Sequence, residues 1–434
     1  MKPTSNSGCH PMPWQWLWAG LWLFLSPMLV ADPELRVKGF VTQGWLDDQD
    51  LAAQLGANHP LDADLDLRFM TNRSSGAWSG TWHHSLALDS GDSRGVSTAL
   101  DGLFSGDGLS TRQGSDERTL MDLAGRVDRG DRHQWTHRAD RLNVRYSGQS
   151  WNVVAGREAV TFGAGLVFNP MDFLNPFAPS AVDKDFKPGE DLLHVQHRLR
   201  TGGEVSLLAV GRRNGEGEAT LSASSLAFHY TNTITEGEIE VLAAQHRDEG
   251  VLGVGVRWPF AGAMLRSDIV ATAPDGDEGV RISALLNADY SFSLGDKLVH
   301  VYGEYYHNGF GVRNLDPARP LPEALQRRLI EGELFVLGRD YLAVGGSMTW
   351  HALVSQSFSF VTSLQDGSSF LQTTATIDVS SSSRLDIGAL VQTGSAGDEF
   401  GGRPIARAID GELITLGTGH RVYLRWTWYP FTES

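Results

Sequence analysis

The chain has 434 residues, a formal net charge of −16, 49 glycines and a single cysteine. Its excess of carboxylates excludes a nucleic-acid partner, which needs clustered cations, and the lone Cys9 excludes a disulfide framework and a cysteine metal site. A mean hydropathy of −0.21 leaves no room for several spanning helices.

The first apolar segment, WQWLWAGLWLFLSPMLVA, runs from Trp14 to Ala31, follows Lys2 and stops at Asp32. This pattern predicts a secretory signal peptide over residues 1–31, cleaved after Ala31, with Leu29 a poor fit to the small-residue position before the cut. The alternative is an uncleaved anchor. Against it, the Trp16–Phe24 core is too short to cross a bilayer and Pro27 interrupts any longer helix. Residues 32–434 then form one domain.

Beyond the leader the apolar residues alternate with a period of two, the strand signature. In VRISALLNADYSFSL, Val280, Ile282, Ala284, Leu286, Ala288, Tyr290 and Phe292 share one face, while Arg281, Ser283, Asn287, Asp289, Ser291 and Ser293 share the other. Leu61, Ala63, Leu65, Leu67 and Phe69 oppose Asp62, Asp64, Asp66 and Arg68. Ile239, Val241 and Ala243 oppose Glu236, Glu238 and Glu240. One such strand fits a water-soluble sandwich, but carboxylates on three alternate positions crowd a closed sheet and suit a wide, wet lumen. Charged-in and apolar-out is the pattern of a transmembrane β-barrel.

Strands are predicted at 34–46, 62–73, 77–89, 138–147, 151–159, 191–200, 203–212, 219–230 and 236–247. They continue at 251–260, 262–272, 280–293, 297–308, 339–350, 352–363, 369–380, 383–393 and 420–431. That makes about eighteen, an even number, as single-chain barrels of this kind require. The connections after even strands are short and rich in Gly, Ser, Asn and Asp, among them SSG, GQS, TG, TNTIT and LGD. The long ones, 90–137, 160–190, 309–338 and 394–419, all follow odd strands and are predicted to be extracellular. The fold class is therefore all-β: an antiparallel up-and-down transmembrane barrel with long outer loops.

The last strand carries Tyr423, Trp426, Trp428, Tyr429 and Phe431. Val422, Leu424, Trp426 and Trp428 are predicted to face lipid at the periplasmic girdle, with Arg421, Tyr423 and Arg425 inward. The segment resembles the C-terminal strand by which the insertion machinery recognises outer-membrane barrels, departing from it at Pro430 and in the TES tail.

The stretch from Gly156 to Gln196, GREAVTFGAGLVFNPMDFLNPFAPSAVDKDFKPGEDLLHVQ, resembles the signature region of a porin-like family of Gram-negative outer-membrane barrels near the alginate-export barrels. Leu321–Gly345 resembles a second shared block. The resemblance implies an outer-membrane barrel that passes solutes and a loop after the fifth strand that enters the pore; it names no cargo.

In that loop Pro170 and Pro176 stand beside Asn169, Asp172 and Asn175, which predicts fixed turns with side-chain caps. Asp172, Asp183, Lys184, Asp185 and Lys187 would then line a constriction, the alternative being a loop packed outward or a plug. Arg141 and Arg145 flank Asn143 on one strand face, and Arg198 and Arg200 follow His194 and Gln196. These arginines either form a basic wall that orients anions against the acidic loop, or pair with lumen carboxylates and brace the barrel. Arg157 precedes the loop where the period becomes ambiguous, and Glu236, Glu238 and Glu240 make the lining mixed in sign.

Three motifs invite other chemistry. Gly91–Gly95, GDSRG, fits a nucleophile elbow with Ser93, but the sequence offers no apolar helix behind it. His83 and His84 are adjacent, so on a strand they point to opposite faces. Asp275–Gly279, DGDEG, lacks the spaced ligands of a calcium site. No cofactor or metal site is predicted. The expected function is a passive channel for hydrophilic, anionic or zwitterionic solutes in the cell outer membrane, with outer-membrane lipid as surroundings. A loop-occluded structural or assembly barrel and an outer-membrane hydrolase are the alternatives. A short amphipathic helix is expected over Arg319–Ile330, with Leu321, Leu325 and Leu329 on one stripe packed against the rim.

Overall fold

A computed structural model describes residues 33–430 except 104–115, 117, 277–278, 316–318, 408–412 and 418. The predicted leader, Phe431 and the TES tail lie outside the described residues, as do Asp277 and Glu278 of DGDEG. Strands β1 (Glu34–Trp45), β2 (Leu61–Ser75), β3 (Trp78–Gly91), β4 (Ala124–Arg129), β5 (His133–Ser147), β6 (Trp151–Glu158) and β7 (Glu190–Arg198) come first. Next are β8 (Glu204–Val210), β9 (Ser225–Ile234), β10 (Gly237–His246), β11 (Glu249–Phe260), β12 (Ala263–Ala273), β13 (Arg281–Leu294) and β14 (Lys297–His307). The chain ends with β15 (Asp340–His351), β16 (Val354–Ser363), β17 (Ser369–Ser380), β18 (Ser383–Thr393), the hairpin β19 (Arg403–Arg407) and β20 (Leu413–Leu416), and β21 (His420–Trp428). Helices α1 (Leu51–Gln54), α2 (Asp92–Leu103) and α3 (Glu323–Glu331) lie in connections.

Every neighbour in the main sheet is antiparallel, and β1 pairs with both β2 and β21, which closes the sheet. Of its 19 strands, β4 is an outer extension beside β5, so 18 form the barrel. All eighteen predicted strands are present. Val37 pairs with Trp428 and Glu34 with Met70, so both described chain ends lie at the short-turn end, the periplasmic end in barrels of this type. One predicted turn is corrected: TNTIT continues β9 to Ile234, because its β-branched residues keep pairing with β10, and the turn sits at Thr235, whose φ is 55°.

The large apolar side chains left exposed alternate along the strands, from Val41 through Leu252, Ile282 and Phe358 to Leu424. They form the outer belt that only lipid can cover. At the short-turn end, Trp426 stacks on Trp428 with centroids 5.8 Å apart, Trp78 meets Tyr146 at 5.0 Å and Trp151 stacks on His197 at 4.1 Å. This is the interfacial aromatic girdle. Leu424 is 44% exposed within that belt. Leu424→Arg is expected to lower the folding free energy in bilayers by about 2–4 kcal/mol, read from urea titrations of the refolded barrel.

The opposite face is not uniformly polar. Toward the outer end, inward positions carry Leu192, Leu208, Leu242, Val251 and Val270 on one arc, and Leu285, Tyr306, Tyr341, Val361, Phe370 and Leu390 on the other, all buried. Period two assigns these strands their charged inward residues, but alternation alone does not reveal that inward apolar residues above them need something to pack against.

Candidate functional site: a loop across the lumen

What packs there is the connection between β6 and β7. Phe162, Met171 and Leu174 join the first apolar arc, and Val167 and Phe168 join the second. Phe168 stacks on Tyr306 at 4.7 Å and reaches Tyr341 at 5.3 Å. The inward glycines of β11 make room for this: a Cβ on Gly253 would stand 2.9 Å from the Met171 methyl carbon.

Polar anchors tie the same segment down. Glu240 on β10 accepts the Gly163 N–H at 3.1 Å, and Asp268 on β12 accepts that of Ala164 at 2.9 Å. Glu304 on β14 accepts three: Leu166 and Phe168 at 2.7 Å, and Val167 at 3.0 Å. Asn287 on β13 donates to the Ala164 carbonyl at 3.1 Å. The three carboxylates are at most 2% exposed. Buried backbone donors and buried carboxylates each carry a large desolvation cost, and here each satisfies the other. Within the loop, Lys187 closes a clasp on both oxygens of Asp172 at 2.6 Å, and Asn175 donates to Glu190 at 2.8 Å. Burial pushes the Asp172 carboxyl up and the Lys187 ammonium down, each partly offset by its partner.

The loop then crosses to the opposite wall. Lys38 on β1 bonds Asp183 at 2.5 Å and Asp185 at 2.6 Å, and Arg425 on β21 donates to the Val182 carbonyl at 3.3 Å. Phe186 lies between the guanidinium groups of Arg36 and Arg68, at 4.5 and 4.1 Å. Burial raises the Asp183 pKa, but Lys38 outweighs it and holds the carboxyl below its ordinary value. Lys184 is exposed to water, yet the protein around it depletes its hydration and pushes its ammonium down. Among the described residues, no carboxylate forms an ion pair with it.

The other predicted site residues divide. Arg141 and Arg145 face inward and both pair with Glu158, at 3.0 and 3.5 Å. Glu238 and Glu240 face inward and share Arg257. Arg198 ends β7 and Arg200 lies in the turn after it, at the periplasmic rim, so they form no wall opposite the acidic loop. Glu236 occupies the β9–β10 turn, also at the rim. Asp172 and Lys187 are consumed by their clasp. The cations that meet Asp183 and Asp185 are on β1 and β21, not on β5 and β7.

Arg157 is in the wall itself, with no exposed surface. Strands β6 and β7 stop early where their connection turns inward, and residues 118–129 complete the wall above them: Thr119 bridges to Arg212, Ala139 bonds the Leu123 carbonyl, and β4 pairs with β5. Arg157 fastens this patch, donating to Asp191 at 2.8 and 3.0 Å, Thr119 at 3.0 Å, the Met121 carbonyl at 2.6 Å and Asp116. Gly156 makes the bend possible with φ +124°, where a Cβ would collide with the β5 backbone.

The motifs that invited catalysis are engaged elsewhere. Helix α2 starts within GDSRG, at Asp92, and is polar rather than the apolar helix a nucleophile elbow needs; the Ser93 hydroxyl donates to Asp62 at 2.6 Å. His83 lies edge-on to Phe186 at 6.3 Å and His84 stacks on His137 at 5.4 Å, on opposite faces as predicted. A serine–histidine–glutamate chain not foreseen from sequence links Ser225, His246 and Glu333 at 2.8 and 2.9 Å. All three are buried, and Arg212 also donates to the serine oxygen, so this chain ties β9 and β10 to the segment after α3 and presents no nucleophile to solvent. Helix α3 packs at the outer rim, with Arg328 over Phe310 at 3.6 Å and paired with Glu249 of β11.

The closed antiparallel barrel is shared with solved structures. OccAB3 of Acinetobacter baumannii aligns over 92% of this chain and 98% of its own at TM-score 0.51 and 9% identity. A BenF-like porin from Pseudomonas fluorescens aligns over 92% and 98% at TM-score 0.50 and 9% identity. The fold is that of the outer-membrane porins. Wzi of Escherichia coli, an outer membrane protein described as a carbohydrate-binding β-barrel involved in group 1 capsule assembly, aligns over 96% and 88% at TM-score 0.51 and 11% identity. No family model matches the sequence, and no curated protein matches it.

Proposed function

We propose that this porin-fold barrel sits in the cell outer membrane, with lipid around its belt and its last strand presented to the insertion machinery. There it is a passive channel for small hydrophilic solutes, favouring those with an anionic group. The observation that carries the reading is the water-exposed triplet Asp183, Lys184 and Asp185 on a loop bonded to both walls. Asp183 and Asp185 are engaged by Lys38, with Arg425 and Arg36 at 3.5 and 3.6 Å, whereas Lys184 has no ion-pair partner among the described residues and stands as the accessible cation where solutes pass. Polar groups on the lumen wall replace part of the solute's hydration, and the gradient supplies the direction.

The test is single-channel conductance in a planar bilayer, with reversal potential under a salt gradient. Discrete steps with anion bias are expected, and Lys184→Glu is expected to lower the anion-to-cation permeability ratio by about threefold or more. Cation bias in the native barrel would instead assign selectivity to the carboxylates Glu238, Asp289 and Asp378. A second reading, an occluded structural or assembly barrel, draws on the apolar packing of the loop in the outer half of the lumen. It predicts silence from a barrel shown to be folded by its heat-modifiable migration.

A further inference from the structure

The inner loop is held by different chemistry on its two sides. Toward β10–β14 its backbone is bonded to carboxylates at most 2% exposed. Toward β1, β2 and β21 it is held mainly by side chains. Asp183 and Asp185 leave 49% and 43% of their side chains exposed while they pair with Lys38, and Arg36 and Arg425 stand farther off at 3.6 and 3.5 Å. Phe186 adds a ring between two guanidiniums. Anchors buried on both sides are shielded from salt; in the latch only the cation is buried, Lys38 being 5% exposed, and the half-exposed carboxylates give solvent and other ions a path to the pair. The segment is also bounded: Lys187 is clasped by Asp172, and the Ala181 N–H closes a turn on the Ala178 carbonyl at 3.0 Å.

We propose that residues 181–186 are a gate, fixed at both ends and latched shut on the β21–β1–β2 wall by Lys38, Arg36, Arg68 and Arg425. In the latched state Asp183, Asp185 and Phe186 occupy the cations of that wall. In the released state the segment folds back toward the loop body, and those four cations turn from loop partners into lumen-lining groups. Ionic strength and multivalent anions favour release, because they compete for Lys38 without touching the buried anchor. The proposal rests on the channel reading for its consequence, but the motion is measurable without conduction.

Two measurements on the refolded full barrel test it. Spin labels at Lys184→Cys and at Gln149→Cys, an exposed site in the β5–β6 turn, report the position of the gate by pulsed dipolar spectroscopy. One narrow distance distribution is expected at low salt, with a second population appearing at high salt and dominating in the Asp183→Asn/Asp185→Asn background. In bilayers the same double variant is expected to raise unitary conductance about twofold or more, with Phe186→Ala acting in the same direction. A distribution unchanged by salt and by the double substitution would overturn the gate, whatever the conductance. Altered distances with silence from every variant would keep the motion and reject the channel.

Discussion

Arg157→Ala is expected to cost the barrel about 3–5 kcal/mol, the range for breaking a buried ion pair from one side. The guanidinium has no exposed surface and binds two carboxylates; its loss would leave Asp191 buried without that cation and Asp116 with Arg138 alone, at 3.4 Å. Its other hydrogen bonds go to Thr119, the Met121 carbonyl and, at 3.4 Å, the Ala139 carbonyl of β5, so the loss falls where residues 118–129 complete the wall above β6 and β7. Arg157→Lys cannot reproduce the fork: one ammonium spans neither the bidentate Asp191 contact nor the reach to Asp116 together, so it is expected to recover less than half of the loss. The measurement is the urea midpoint of the folded-to-unfolded band shift, with proteolysis mapping cleavage near residue 120. A variant as stable as the native barrel, or cleavage elsewhere, would mean the patch is held by its β4–β5 pairing alone.

Arg157 shows where the reading of faces from period two breaks down. Alternation gives the face of a residue only while the strand has one partner on each side, and β6 loses its regular setting at Gly156. Parity puts Arg157 on the outer face with its register partners Leu142 and Asp191, where an arginine makes no sense unless another piece of chain covers it. That piece, around Thr119 and Met121, lies more than thirty residues upstream. The entropy of closing a loop grows only slowly with its length, so such a distant cover is cheap to recruit. It carries no strand signature beyond Ala124–Arg129, which leaves nothing in the local sequence to announce it.

The barrel itself is legible because lipid and water impose the same alternation on every strand, and eighteen repetitions of a weak signal make a strong one. The site is only half legible. Clustered charge marks Asp183, Lys184 and Asp185 as loop groups worth attention, but no pattern in the sequence marks Lys38, Arg36 and Phe186 as what they meet. Nothing local distinguishes Lys38 from any inward lysine; only the path of the loop brings it within reach of Asp183. Glu304 does leave a trace. Its inward neighbours on β14 are the partly buried Tyr302 and the buried Tyr306, and an acid between two inward aromatics needs a dedicated hydrogen-bond partner more than it needs a lumen.

Glu304→Ala gives the sharpest test of that anchor. The substitution removes the acceptor for the N–H groups of Leu166, Val167 and Phe168 and a partner of the Asn287 amide. Bonds to a charged acceptor contribute roughly 1.5–3 kcal/mol each; because the three share one side chain they do not add fully, and a loss of about 3 kcal/mol is a conservative expectation. At about 1.4 kcal/mol per tenfold, amide exchange at residues 166–168 should accelerate by about a hundredfold or more. The Phe168 stack on Tyr306 survives the change, so the segment should open locally rather than abandon the wall, and the barrel band shift should hardly move. Glu304→Gln keeps one carbonyl oxygen and should fall between the two. The gate on the opposite wall separates the possibilities further: if the anchor is the fixed end, Glu304→Ala should broaden the Lys184 label distances even at low salt, where the Lys38 latch is at its strongest. Unchanged exchange at 166–168 would assign the hold to the apolar contacts of Val167 and Phe168 instead, and the inward acids of β10, β12 and β14 would return to being lumen charges.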